Sequence, residues 1–347
     1  MPILGLLLAA AIAVPVVFGD TVDSNRLGLH NNIEFTSYSP LSRSTEFVRR
    51  TMSPLVALRV AEEVAREQKR LREQPIDLSD EKFSYYVPAD VPAEGFSLLV
   101  FVPPWEDATV PSQWLPILDR HAMILVTAAR SGNEASVLER REPLALDAAQ
   151  NMIERYTIDP KRVYVGGFSG GARVALRLAL AYPDIFHGVL LSAGSDPIGN
   201  AQIPLPAQSF LTEFQDTTQV VYLTGERDEF QLNEDIRSRQ SLKEWCVFSP
   251  PVITVPRQGH ERPDASSFNQ GLDALLRTPR PEPKRLAACR ERIESALEAQ
   301  LNNVQELANR SRLDDARKLL EKIDANYAGL AAPRSVELFR RWMPIEK

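Results

Sequence analysis

From about Lys82 onward, short apolar runs alternate with amphipathic stretches. The runs are "KFSYYV", "FSLLVFV", "AMILVTAA", "RVYVGG", "GVLLSAG", "QVVYLTG" and "PVITVP", and between them lie helical segments such as "REPLALDAAQNMIERY". A strand buried on both faces has no polar side to show. Continuous apolar runs separated by helices therefore predict an α/β fold, a mostly parallel sheet covered by helices on both faces.

The flanks follow a different period. Residues 20–50 are polar and irregular, and a helix is expected from Ser53 to Glu73, where Leu55, Leu58, Val60 and Val64 recur at helical spacing among charges. Prolines at 279, 281 and 283 close the α/β pattern. Beyond them, Leu286, Ile293, Leu297, Leu301 and Val304 mark one helix. Leu313, Ala316, Leu319, Leu320 and Ile323 mark a second, with Ser311 as its expected N-cap and Asp314 and Asp315 in its first turn. This pair is a helical hairpin expected to pack on the main body or on a partner chain. It has no repeat companion, which excludes a solenoid.

The first residues, "MPILGLLLAAAIAVPVVFGD", form an apolar run that ends in small residues at Val17 and Gly19, which suits processing before Asp20. The expected organisation is a signal peptide over 1–19, a helical N-terminal extension over 20–81, a catalytic domain over 82–278 and a C-terminal helical hairpin over 284–347. Export to the periplasm or the medium follows, with no stable membrane insertion once the leader is removed.

Composition narrows the function classes. The chain has 347 residues, 44% hydrophobic and 25% charged, as in ordinary globular proteins. Its net charge of -6 and scattered Lys and Arg exclude a nucleic-acid partner. Cys246 and Cys289 are too few for a disulfide-built scaffold; the sequence leaves open both a pair and two buried thiols. No metal motif or phosphate-cradling loop is evident, so no cofactor is expected.

The chemistry centres on "VYVGGFSGGARVAL", residues 163–176. A lone G-x-S-x-G match is weak evidence. Here, however, Gly167-Phe168-Ser169-Gly170-Gly171 follows a strand pattern and opens a helix whose Val174, Ala175, Leu178 and Tyr182 share a side. That is the setting of a nucleophile elbow, in which a strained turn lifts the hydroxyl clear of the sheet.

A serine hydroxyl needs a base. Of the four histidines, His30 lies in the irregular N-terminal segment, His121 precedes a strand and His187 sits between a helix and a strand. His260 follows "VITV" in a Gly-containing loop, at the sheet edge where parallel-sheet sites gather. The imidazole in turn needs an acid, which Asp228 in "LTGERDEF" supplies, with Glu226 and Glu229 as rivals on the same loop. The order Ser169, Asp228, His260 is that of α/β-hydrolases. The oxyanion hole is expected from the N–H of Gly170 and from the turn after "LLVFV". Pro103 and Pro104 have no N–H to offer there, so Trp105 or Glu106 must supply it.

At these residues the chain resembles a known group. "YTIDPKRVYVGGFSGGARVALRLALAYPDIFHGVLLSAGSDP", "LTGERD" and "GHERPD" are similar to the α/β-hydrolases comprising secreted poly(3-hydroxybutyrate) depolymerases and feruloyl esterases. The resemblance spans residues 82–276. It implies an esterase fold with Ser169 as nucleophile, Asp228 as acid and His260 as base. Pro103-Pro104 stands where that group usually has His-Gly.

The expected activity is hydrolysis of a carboxylic ester through an acyl-enzyme. Two alternatives are a prolyl-oligopeptidase-like serine peptidase, whose core around the serine is similar, and an interaction protein of reduced catalysis that works through its hairpin.

Overall fold

The structure, a computed structural model, describes residues 27–67, 72–277 and 282–343. The leader expected over 1–19 lies outside the described residues.

Among the described residues, eight strands form one sheet. In chain order the elements begin with β1 (Gly28–Ile33), α1 (Ser44–Thr51), α2 (Pro54–Arg66), β2 (Phe83–Val87) and β3 (Phe96–Val102). Next come α3 (Leu115–Arg120), β4 (Met123–Ala128), α4 (Glu142–Arg155), β5 (Ile158–Phe168), α5 (Gly170–Ala181) and β6 (Gly188–Ser192). The main body closes with α6 (Gln208–Thr217), β7 (Gln219–Gly225), α7 (Glu229–Glu244), β8 (Val252–Val255) and α8 (Ala265–Leu275), and three further helices follow: α9 (Pro283–Asn309), α10 (Leu313–Tyr327) and α11 (Arg334–Trp342).

The strand order is β1-β2-β4-β3-β5-β6-β7-β8. β2 runs antiparallel to both neighbours and the strands from β4 to β8 are parallel. β3 shows why its sequence reads as an unbroken apolar run. Leu98, Val100 and Val102 enter the core on one face of the sheet, while Leu99 and Phe101 enter the core on the other. Burying both faces demands apolar residues at consecutive positions.

The N-terminal extension is not purely helical. Its residues 28–33 form β1, which pairs with β2 and extends the sheet. "GLHNNI" carries no apolar run because an edge strand half open to solvent needs none. α1, in the segment read as irregular, anchors through Arg50, whose guanidinium donates to both carboxylate oxygens of Asp184 at 2.7 and 2.8 Å. α2 starts where expected, behind Ser53, but its helical residues end at Arg66 rather than Glu73.

The C-terminal hairpin is a three-helix unit. Leu55 of α2 joins Leu297, Leu301 and Val304 of α9, Leu320 and Ile323 of α10 and Phe339 of α11 in a core of its own. α11 has a short, heavily charged sequence and gave no separate signal. Ser311 does not cap α10, because its φ of 59° places it in the connecting turn and Arg312 holds the cap position without a side-chain bond. The unit docks on the main body: Arg290 of α9 donates to Gln215 and Asp216 at the end of α6, and Cys289 forms a disulfide with Cys246 just past α7.

Candidate active site

β5 ends at Phe168 and α5 starts at Gly170, so the chain must reverse through a single residue, Ser169. Its φ of 54° and ψ of -122° lie where non-glycine residues rarely go. Such strain persists only where the surroundings hold it. Here the Ser169 N–H donates to the Ser192 carbonyl of neighbouring β6 at 2.8 Å, and the Ser169 carbonyl accepts from Ala172 N–H at 3.0 Å. At Gly171 the helix passes so near the end of β3 that a β-carbon would stand 1.9 Å from the Val102 carbonyl oxygen. Only glycine fits this approach.

Asp228 follows β7 and caps α7, its Oδ1 accepting from Gln231 N–H at 3.4 Å. His260 lies in the loop after β8, which is tied to the β7 loop by the N–H of Arg227 donating to the Gln258 carbonyl at 2.9 Å. The three side chains meet at the C-terminal edge of the sheet. His260 Nδ1 is 2.6 Å from Asp228 Oδ2, and His260 Nε2 is 3.0 Å from Ser169 Oγ. With the ring proton on Nδ1 it is donated to the carboxylate, and Nε2 is left to accept from the hydroxyl. Asp228 is buried, whereas the His260 side chain is 42% exposed, so the carboxylate is fixed while the imidazole stays open to solvent. The His260 ring also lies 5.1 Å, centroid to centroid, from Phe168.

The other candidates are placed elsewhere. Glu226 accepts from Arg257 N–H at 2.8 Å, and Glu229 begins α7 in an exposed position. His30 stacks on Tyr85, His121 meets Asn269, and His187 meets the Ile185 carbonyl.

The turn after β3 is held by its carbonyls. Arg141 donates to the Pro103 carbonyl at 2.9 Å, Asn133 N–H to the Pro104 carbonyl at 3.1 Å, and Arg130 N–H to the Glu106 carbonyl at 2.6 Å. Since the two prolines have no N–H, the backbone donors of this turn are the N–H groups of Trp105 and Glu106. The Trp105 ring lies 6.3 Å from those of Phe101 and Phe168, beside the elbow. Gly170 opens α5, where the first N–H groups have no partner within the helix.

Sequence reasoning missed Asn133 and Arg141. The Asn133 side chain rests against Gly170, with Oδ1 2.2 Å from where a β-carbon there would stand, and it lines the cleft with Ser169. The small-residue turn "RSGN" after β4 was the only available sign. Arg141 is buried against two carbonyls, those of Pro103 and Ser131, and burial draws its guanidinium down to about 10. Its helical sequence context carries no mark of that role.

Beside Ser169 opens a cleft of about 1000 Å³, walled by α2, α5, α10 and the loop from Asp196 to Pro204. Asp324 of α10 is among its lining residues and ties α10 to α2, accepting from the Leu55 N–H at 3.0 Å and from the Ser53 hydroxyl. Among the described residues no cluster of three His, Cys, Asp or Glu is placed to hold a metal, and no helix is long and apolar enough to cross a membrane.

No family model matches the chain. NocK of Nocardia uniformis subsp. tsuyamanensis, a protein named as an esterase, is 39% identical over 72 residues, covering 18% of this chain and 21% of that protein. Among solved structures the chain is similar to S-formylglutathione hydrolase (FrmB) from Staphylococcus aureus, with a TM-score of 0.44 and 11% identity over 55% of this chain and 89% of that one. It is also similar to a puromycin-hydrolyzing peptidase of Mycobacterium tuberculosis, with a TM-score of 0.40 and 15% identity over 58% of this chain and 38% of that one. A mostly parallel sheet with one antiparallel strand inside its edge, a strained serine between β5 and α5, and Asp228 and His260 behind β7 and β8 together give the chain the α/β-hydrolase fold.

Proposed function

We propose that the protein is a serine hydrolase of carboxylic esters that works through an acyl-enzyme. The observation that carries this reading is the unbroken run of contacts from Asp228 through His260 to Ser169, at 2.6 and 3.0 Å, with the serine held at a strained turn.

In the proposed reaction His260 takes the Ser169 proton as Oγ attacks the ester carbonyl, and Asp228 steadies the imidazolium. The oxygen of the tetrahedral intermediate is met by the N–H of Gly170 and by that of Trp105 or Glu106. Collapse expels the alcohol, which receives the proton from His260. A water activated by the same imidazole then releases the acid and restores the serine.

The resemblance to depolymerases and feruloyl esterases supports an ester as substrate. The cleft of about 1000 Å³ beside Ser169, lined in part by α2 and α10, gives room for such a substrate. We also propose export. The apolar leader sequence supports it, and so does the bond between Cys246 and Cys289, since disulfides persist in oxidising compartments.

The test is labelling with a fluorophosphonate followed by peptide mapping, alongside hydrolysis of para-nitrophenyl butyrate. Labelling at Ser169 and loss of hydrolysis in Ser169→Ala are expected. An unlabelled but folded protein would instead favour the reading as a binding protein, and hydrolysis of peptides but not esters the reading as a peptidase.

A further inference from the structure

We propose that the cleft beside Ser169 selects substrates carrying a carboxylate a few bonds from the scissile ester, and that Arg173 binds that carboxylate. The inference rests on the hydrolase reading above and names its substrate class.

Four arginines line the cleft, and three are committed. Arg59 pairs with Glu321 at 2.7 Å. Arg177 donates to Glu142 at 2.7 Å and to the Gln202 carbonyl. Arg141 donates to the carbonyls of Ser131 and Pro103, both at 2.9 Å. Arg173 differs: its Nε is shielded from solvent yet makes no hydrogen bond, and its ion pair with Asp196 is long, at 3.6 Å. A shielded donor without a hydrogen bond costs stability, so an Nε held only by a long ion pair beside a cleft is a place where a ligand gains what the described residues leave unused.

Its position suits the reaction. Arg173 lies four residues past Ser169, and one turn of helix rises about 5.4 Å, so both side chains open into the same cleft. A guanidinium recognises a carboxylate through two parallel hydrogen bonds. The occupant is argued from Asp196, which already offers a carboxylate to Arg173 without reaching hydrogen-bond distance. Burial pushes the Asp196 carboxyl up, against the pull of Arg173. A substrate carboxylate replaces it in kind with a single charge, whereas a doubly charged phosphate would meet about twice the repulsion from Asp196 across the same guanidinium.

The experiment compares kcat/KM for two pairs of esters. Mono-para-nitrophenyl glutarate against para-nitrophenyl butyrate places the carboxylate on the acyl side; para-acetoxybenzoate against phenyl acetate places it on the alcohol side. The wild type is expected to prefer the carboxylate ester in one pair by about tenfold or more, and that pair assigns the side. In Arg173→Gln the ratio should fall to about one, Arg173→Lys should keep part of it, and Asp196→Asn should raise it. Free glutarate or para-hydroxybenzoate should inhibit the wild type competitively and lose that effect in Arg173→Gln.

Equal rates within both pairs for the wild type would overturn the proposal, as would a preference that survives in folded Arg173→Gln. Should Arg173→Gln fail to fold, an unchanged ratio in Asp196→Asn together with no inhibition of the wild type by either free acid would overturn it. Failure of the hydrolase reading looks different, because neither the neutral nor the charged ester would then be turned over in a Ser169-dependent way.

Discussion

The carboxylate of Asp228 stands 2.6 Å from His260 Nδ1, although the two lie 32 positions apart in the chain with helix α7 and strand β8 between them. The contact sets which ring nitrogen carries the proton. Asp228→Asn should therefore leave the fold intact and lower kcat by about 10⁴-fold, through loss of the correct tautomer. Ser169→Ala and His260→Ala should each cost at least as much, and the double variant little more, because such residues act as a unit. Steady-state kinetics on a short-chain ester measures all four. A folded Asp228→Asn with wild-type kcat would remove Asp228 from the reaction.

Arg141 holds the turn from which one oxyanion donor is expected, through its bond to the Pro103 carbonyl. Arg141→Lys should lower kcat by about 10-fold to 100-fold with KM little changed, since a displaced donor weakens binding of the transition state more than of the ester. The fluorophosphonate labelling rate should fall with kcat. A loss of thermal stability without a change in kcat would show that Arg141 only supports the fold.

The bond between Cys246 and Cys289 spans 43 residues and ties α9 to the main body. Closing a loop of that length stabilises by about 4 kcal/mol on the loop-entropy estimate. Reduction, or Cys246→Ser with Cys289→Ser, should lower the denaturation midpoint by a corresponding amount. Two titratable thiols in the native protein and an unchanged midpoint would contradict the pairing.

Asp147 of α4 ties the N-terminal segment to the body by accepting from the Ser39 N–H at 2.7 Å, and its other oxygen has no partner. Burial pushes its carboxyl up to about 6 from an ordinary 3.8. A carboxyl raised in the folded state holds its proton more tightly there than in the unfolded chain. Its contribution to stability is therefore greatest below pH 4 and declines as the pH rises towards 6, by roughly 3 kcal/mol in total. Asp147→Asn keeps the acceptor and removes the titration. The difference in unfolding free energy between variant and parent should move in favour of the variant between pH 4 and pH 6, as measured by urea titration across that range.

The main body was legible because burial on both faces forces apolar runs in its inner strands, and because Ser169, Asp228 and His260 follow β5, β7 and β8 within a few residues. β1 escaped notice for the opposite reason: at the sheet edge, Asn31 and Asn32 can face water. α11 escaped because its buried side consists of only Ser335, Leu338 and Phe339 among charges. Asn133 and Arg141 were illegible because their importance comes from what the fold brings beside them: the elbow at Gly170 in one case and a carbonyl 38 residues away in the other. The choice between Asp228, Glu226 and Glu229 likewise depended on where the loop directs each side chain, which residue type alone does not encode.

The meeting of Ser53, Leu55 and Asp324 has a bearing on how this molecule changes over evolutionary time. The reacting groups are fixed by strand ends in the middle of the chain, whereas one wall of the cleft is made where α2, near one terminus, meets α10, near the other. On the proposed reading, changes in either helical segment would alter that wall while leaving strand register and the serine turn in place. If the proposed chemistry holds, the fit of a bound molecule and the chemistry acting on it are thus set by separate parts of the chain.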